Sequence, residues 1–187
     1  MSVLSDQDII HRVTFHNMID PFVGFQVRKQ GAKPLISYGL SSYGYDIRLS
    51  EEFMMPIAHP MSIDPKYPNE RQFMKFSLPI FVLSANSFVL ARSIEYFKIP
   101  RDIMGICTGK STYARCGVVV NVTPLEPEWE GYLTLEISNT GKNDVLIYAN
   151  EGIAQLTFHT ATSICNVSYA DKKGKYQGQQ DITLAQA

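Results

Sequence analysis

The chain has 187 residues, and its 17 lysines and arginines almost balance its 18 aspartates and glutamates, which leaves a formal charge of −1. That length is sufficient for a single domain with a buried core, and the balanced charge provides no overall field that would recruit nucleic acid or an anionic membrane. Because the three cysteines match no zinc ribbon or disulfide framework, and neither a signal-type start nor a long apolar run occurs, we expect a soluble cytoplasmic protein with reduced thiols.

The first predicted element is a short amphipathic helix. Ser5 precedes Asp6 and Asp8, a pattern typical of a capped helix with acidic residues at its positive end. Pro21 closes this segment. The helix is therefore expected to be short.

The rest of the chain has the pattern of a β protein. Residues 38–49 predict a strand whose alternation puts Asp46 and Arg48 on the face opposite its hydrophobic residues. Prolines recur between 54 and 79, which allows only short or edge strands there. Further short strands are predicted at 80–83, 87–92, 103–107, 118–120, 132–137, 145–148 and 153–158. We therefore predict a mainly β fold, a sandwich or jelly-roll barrel.

A polar stretch follows the third of these strands. Residues 109–117, Gly-Lys-Ser-Thr-Tyr-Ala-Arg-Cys-Gly, place two cations and two hydroxyls between two glycines. One turn of helix would put Ser111 and Arg115 on the same face, while Lys110 and the amides of that turn could meet an anion. This segment is predicted to be a binding loop.

A second polar stretch contains the candidate proton-transfer group. A proline-braced loop with three acids, beginning at residue 121, runs into an alternating strand in which Glu136 stands between Leu135 and Ile137. One carboxyl with a pKa raised toward neutrality can act first as a base and then as an acid. The ordinary alternative is a solvated strand residue on an exposed sheet face.

The last predicted segment, 169–187, is polar and broken by glycines. It has no apolar period, so we expect a mobile tail. Such a tail can become ordered over a phosphate.

Three familiar kinds of site do not fit the sequence. A P-loop needs a glycine where Met104 stands. A zinc deaminase needs His-x-Glu followed by Pro-Cys-x-x-Cys, and neither occurs. No Gly-x-Ser-x-Gly elbow surrounds Ser111.

Taken together, these motifs resemble those of the bacterial dCTP deaminases, which share a superfamily with the trimeric dUTPases. The resemblance covers nearly the whole chain, because it includes both polar stretches and three further motifs. These are Ser-Ser-Tyr-Gly-Tyr-Asp-Ile-Arg-Leu at 41–49, Asn-Glu-Gly-Ile-Ala-Gln at 150–155 and Gly-Lys-Tyr-Gln-Gly-Gln at 174–179. It implies one domain over 1–187 with a distorted β-barrel of the dUTPase type. It also implies a homotrimer with active sites between neighbours, which converts dCTP to dUTP and ammonia without zinc and so feeds dTTP synthesis.

The resemblance also implies roles for particular residues. Glu136 is expected to be the catalytic acid-base group, and Ser111 and Arg115 the partners of that glutamate and its water. A magnesium ion is expected to be held by the triphosphate, with no ligand from protein side chains. The tail is expected to close over the triphosphate. The expected substrate-binding residues are Lys110, Ser111, Thr112, Tyr113, Ala114, Arg115, Thr123, Glu126, Thr134, Leu135, Glu136, Gln155, Tyr169, Lys175 and Gln179.

Other activities remain open from the sequence. Pro124-Leu125 bridges Thr123 and Glu126 where some family members have a longer loop, and the resemblance implies that this loop meets the base and sugar. A bifunctional enzyme that also cleaves dUTP, a dUTPase, and a non-catalytic nucleotide-binding homologue are therefore alternatives to a dCTP deaminase.

Overall fold

The computed structural model describes residues 2–186. Within that range there are two α-helices, α1 (Asp6–His16) and α2 (Ser111–Ala114), and a short 3-10 helix at Glu70–Gln72. The strands are β1 (Ser2–Val3), β2 (Ile19–Asp20), β3 (Val27–Gln30), β4 (Lys33–Ser41), β5 (Gly44–Pro56), β6 (Phe73–Ser77), β7 (Ile80–Leu83), β8 (Phe88–Lys98), β9 (Ile103–Gly109), β10 (Val118–Asn121), β11 (Glu130–Asn139), β12 (Val145–Tyr148) and β13 (Gly152–Thr160). The predicted mainly β fold with a short N-terminal helix is confirmed.

Helix α1 begins at the cap that its sequence predicts and ends before Pro21, so it is short as expected. The Asp8 amide donates to Ser5 Oγ over 3.3 Å, and the Ser5 amide donates to Asp8 Oδ2 over 3.0 Å, which makes a capping box. The helix ends at Asn17, whose φ of 51° is left-handed. Ile9 is fully buried and joins the core. Neither of the two helices in residues 2–186 has the length and apolar character needed to span a bilayer.

The strands form one large curled antiparallel sheet and a separate two-stranded sheet. The central path of the large sheet runs β1-β13-β5-β8-β11-β10, and β9 pairs with β13. Strands β7 and β12 make the small sheet. The inner faces meet in one core, in which Ile47, Leu135 and Phe158 have no exposed surface. This topology places β11 between β8 and β10, where it positions the candidate site.

The segment predicted as one strand at 38–49 is instead a hairpin. Strand β4 ends at Ser41, a turn follows, and β5 begins at Gly44, which pairs with Ser41. Gly44 permits a close approach there, because a Cβ atom on it would lie 2.6 Å from the Leu156 carbonyl oxygen. The hydrophobic face of β5 is buried as predicted, but Asp46 on the opposite face is buried as well.

Candidate active site

Strand β11 presents Glu136 to a cleft. Its buried positions alternate with half-buried ones along the whole strand, as the sequence predicts. Leu133, Leu135 and Ile137 point into the core, while Thr134 and Glu136 lie on the opposite face. Leu135 is fully buried and does not line the cleft, although it is one of the predicted substrate-binding residues.

The cleft has a volume of about 660 Å³ and a mainly apolar wall. That volume falls in the range of small-molecule sites. Six of the residues predicted to bind substrate line it, namely Thr123, Glu126, Thr134, Glu136, Tyr169 and Gln179. The fold thus brings together residues from β11, the preceding loop and the C-terminal tail.

Burial raises the pKa of the Glu136 carboxyl from its ordinary value of 4.5 to about 7. The cross-strand neighbour of Glu136 on β8 is Leu90, and Leu90, Phe88 and Val122 also line the cleft. This apolar setting disfavours the charged form, and only a hydrogen bond from the residue's own backbone opposes the effect. Near neutral pH the carboxyl is therefore able both to accept and to donate a proton.

Helix α2 is the single turn predicted from the 109–117 motif, but it does not line this cleft within its own chain. Ser111, Thr112 and Arg115 are exposed on its surface, as is Ala114. Tyr113 is buried, and its hydroxyl accepts a hydrogen bond from the Tyr148 amide over 3.0 Å. The side chain of Tyr113 therefore anchors the turn to β12.

Lys110 and Gln155 belong to a polar cluster centred on Asp46. Asp46 Oδ2 accepts hydrogen bonds from Lys110 Nζ at 2.5 Å and Gln26 Nε2 at 2.9 Å, while Oδ1 accepts from Gln155 Nε2 at 3.1 Å. Gln155 Nε2 also donates to Ser41 Oγ over 3.3 Å. The Lys110 side chain is only 10% exposed. The side chains of Lys110 and Gln155, both predicted to contact the nucleotide, are thus bound to Asp46 of the same chain. Asp46 and Gln26 were not among the residues predicted from the sequence.

The segment from 169 packs along β11. The Trp129 indole N–H donates to the Tyr176 carbonyl over 2.9 Å, and the Tyr176 amide donates to the Tyr169 hydroxyl over 3.1 Å. Gln179 Nε2 donates to Thr134 Oγ1 over 3.3 Å. Tyr169 and Gln179 reach the cleft by this route.

Lys175 lies farther along the tail and does not line the cleft in this chain. Its ammonium donates to the Gln186 carbonyl and lies 5.4 Å from the centroid of the Tyr176 ring. That the tail moves and closes over a triphosphate stays a prediction.

Across residues 2–186, histidine, cysteine, aspartate and glutamate side chains nowhere form a group of three or more that could hold a metal ion.

A family model described as "dCTP deaminase-like" matches residues 3–161. The chain belongs to the dCTP deaminase-like family. Among family members, the dCTP deaminase of Acidithiobacillus ferrooxidans is 53% identical, with 100% of both chains covered. The dCTP deaminases of Ectopseudomonas mendocina and Pseudomonas fluorescens are 52% and 51% identical, over 98% and 100% of each chain.

The dCTP deaminase-like family assignment agrees with one solved fold. The crystal structure of 2'-deoxycytidine 5'-triphosphate deaminase from Agrobacterium tumefaciens is similar, with a TM-score of 0.61 at 17% identity. The match covers 88% of this chain and 49% of that one, so this chain spans about half the length of that structure. At this identity the likeness shows the fold alone, and it confirms the predicted barrel type.

Proposed function

We propose that this protein is a dCTP deaminase, which hydrolyses the 4-amino group of dCTP to give dUTP and ammonia. The observation that carries this proposal is Glu136, a carboxyl with a pKa of about 7 on the wall of a nucleotide-sized cleft. The full-length relatives, which are named dCTP deaminases, support the choice of substrate.

The chemistry proposed for Glu136 is two proton transfers. As a carboxylate it takes a proton from the water that attacks C4 of cytosine and delivers that proton to N3. It then moves the proton of the new hydroxyl to the amino nitrogen, the C4–N bond breaks, and ammonia leaves as the C4 carbonyl forms. The carboxylate is regenerated at the end of the cycle. A pKa near the working pH favours both directions of transfer.

We further propose a cytoplasmic homotrimer whose sites are completed between neighbours. The α2 turn exposes Ser111 and Arg115 but does not line the cleft of its own chain. Supplied by a neighbouring copy, Ser111 would orient the attacking water and Arg115 would balance charge near Glu136. Within residues 2–186 the three cysteines form no disulfide bond, which supports the cytoplasmic location.

The same proposal assigns the remaining residues to the nucleotide. Thr123, Glu126 and Thr134 would meet its base and sugar, and the turn from Lys110 would meet its phosphates together with the tail. Gln155 would be a further residue of the nucleotide site. Direct contact by Lys110 would require its ion pair with Asp46 to loosen. Magnesium bound to the phosphates would neutralise part of their charge.

Product analysis tests the proposed function. Purified protein is given dCTP or dUTP separately with magnesium, and dUTP, dUMP, pyrophosphate and ammonia are resolved. We expect equal amounts of dUTP and ammonia from dCTP, abolished in Glu136→Gln with the fold intact. Pyrophosphate release from dUTP would identify a bifunctional enzyme, pyrophosphate without ammonia would identify a dUTPase, and dCTP binding without turnover would identify a non-catalytic homologue.

A further inference from the structure

The root of the tail is fixed to the barrel just before residue 172. The Ser168 amide donates to Asp171 Oδ2 over 3.0 Å, and the Asp171 amide donates to Ser168 Oγ over 3.1 Å, which closes a reciprocal turn. Arg101 joins this turn to the loop before β11, because its guanidinium lies 2.6 Å from Asp171 Oδ2 and 2.6 Å from Glu128 Oε2. These bonds therefore fix the position of the backbone immediately before Lys172.

Lys172 connects this root to the cleft wall. Its ammonium lies 2.5 Å from Glu126 Oε2 and 5.2 Å from the centroid of the Tyr169 ring. Both Glu126 and Tyr169 line the cleft that contains Glu136. Lys172 itself does not line the cleft, so it acts from behind the wall.

Within residues 2–186, one oxygen of the Glu126 carboxylate accepts a hydrogen bond and the other does not. Oε2 is bound by Lys172, while Oε1 accepts no hydrogen bond from any other residue between 2 and 186. The main chain of Glu126 is also held, since its carbonyl accepts from the Trp129 amide over 3.1 Å. One carboxylate oxygen thus remains available to a hydrogen-bond donor.

We propose that Lys172 is a positioning residue for nucleotide recognition in the deaminase reaction. It orients the Glu126 carboxylate so that Oε1 accepts a hydrogen bond from a hydroxyl or amino group of the nucleoside. A glutamate without this partner would lose more rotamer freedom on binding. The inference rests on the proposed function for its substrate, and it assigns to Lys172 a role that the sequence did not indicate.

The position of Lys172 in the tail has a thermodynamic consequence. Tail docking places the lysine on Glu126, and Glu126 in turn contacts the nucleotide. Binding of the nucleoside and docking of the tail root then favour each other by the same coupling free energy. Because Lys172 and Glu126 are both partly exposed, with side-chain exposures of 45% and 44%, the coupling is expected to be modest.

The test uses the full-length protein with the variants Lys172→Met and Lys172→Arg. We expect Lys172→Met to raise both KM and the dissociation constant for dCTP roughly threefold to tenfold, with kcat within about twofold of the wild type. Lys172→Arg keeps the charge and should restore both constants to within about twofold. The matched control is Lys173→Met, which removes the adjacent lysine and should change neither constant.

A double-variant cycle tests whether Lys172 acts on dCTP binding through Glu126. In a Glu126→Ala background, Lys172→Met should cause no further loss of dCTP affinity, measured by calorimetry. An equal loss in both backgrounds would overturn the inference, because a lysine that acts on dCTP through the Glu126 carboxylate has no effect once that carboxylate is absent.

The proposed function is judged separately, by ammonia release from the wild type. If Lys172→Met weakens dCTP binding only when Glu126 is present, and the wild type releases no ammonia, the deaminase function is overturned and the positioning role is kept. If the wild type releases ammonia but Lys172→Met lowers dCTP affinity equally with and without Glu126, the deaminase function is kept and the positioning role is overturned. A wild type that does not bind dCTP would overturn both.

Discussion

Replacing Glu136 by glutamine should make the protein more stable at alkaline pH. Burial raises the pKa of this carboxyl from 4.5 to about 7, so the folded protein binds more protons than the unfolded chain between those values. The associated stability is present below about pH 4.5 and is lost as the pH rises through about 7. The full shift corresponds to roughly 3 kcal/mol, and solvent screening of the partly accessible carboxyl reduces this to about 1–2 kcal/mol.

Urea denaturation at pH 5 and pH 8.5, at one fixed protein concentration, measures this effect. Glutamine resembles the neutral carboxyl, so Glu136→Gln and wild type should differ little at pH 5. At pH 8.5 the variant should gain about 1–2 kcal/mol in free energy of unfolding relative to wild type. Glu130→Gln, on the same face of β11, is the matched control and should show no comparable gain. An identical difference between Glu136→Gln and wild type at both pH values would refute the reasoning.

Two further variants probe how the α2 turn is held. Tyr113→Phe removes the hydroxyl that accepts from the Tyr148 amide, and leaving this partly buried donor without a partner should lower the free energy of unfolding by about 1 kcal/mol in urea. Asp46→Asn leaves the largely buried Lys110 ammonium without its counter-charge, and should cost about 3 kcal/mol in the same measurement while weakening dCTP binding.

Both predictions have a control in the chain. Tyr67 is 79% exposed, so Tyr67→Phe should leave stability unchanged, and a loss equal to that of Tyr113→Phe would contradict the anchoring role. The double variant Asp46→Asn/Lys110→Met removes both charges and should be more stable than Asp46→Asn alone. If the double variant loses as much stability as Asp46→Asn and Lys110→Met lose together when each is made alone, the ion pair is not the cause of the loss in Asp46→Asn.

The elements with strong local signals could be predicted from the sequence. Helix α1 carries its own cap in Ser5 and Asp8, so its start is predicted correctly. Strand β11 alternates strictly between buried and half-buried residues and contains the predicted strand 132–137, with two more residues at each end. Strand β3 was not predicted, because three of its four residues, from Arg28 to Gln30, are exposed and polar. Its pairing with β4 holds it in the sheet, and that pairing is not visible in local hydrophobic periodicity.

The contacts that the sequence did not predict join residues that are far apart in the chain. The sequence places Asp46 on the face opposite the core, but Lys110, Gln26 and Gln155 converge on it from other elements and satisfy its burial. Lys172 pairs with Glu126, which is 46 residues away. Neither set of contacts leaves a periodic pattern in the sequence, so both become visible only in the folded structure.

The pH dependence of deamination tests the central claim most directly. Ammonia release from dCTP is measured between pH 5.5 and 8.5 for wild type and Glu136→Gln. If Glu136 transfers the protons, kcat/KM of the wild type should rise with pH through a midpoint near 7, because the carboxyl must be ionised to accept a proton from water. The variant should lose about 100-fold to 10,000-fold in rate. A wild-type rate that does not change with pH across this range, or a variant that keeps its activity, would contradict the claim.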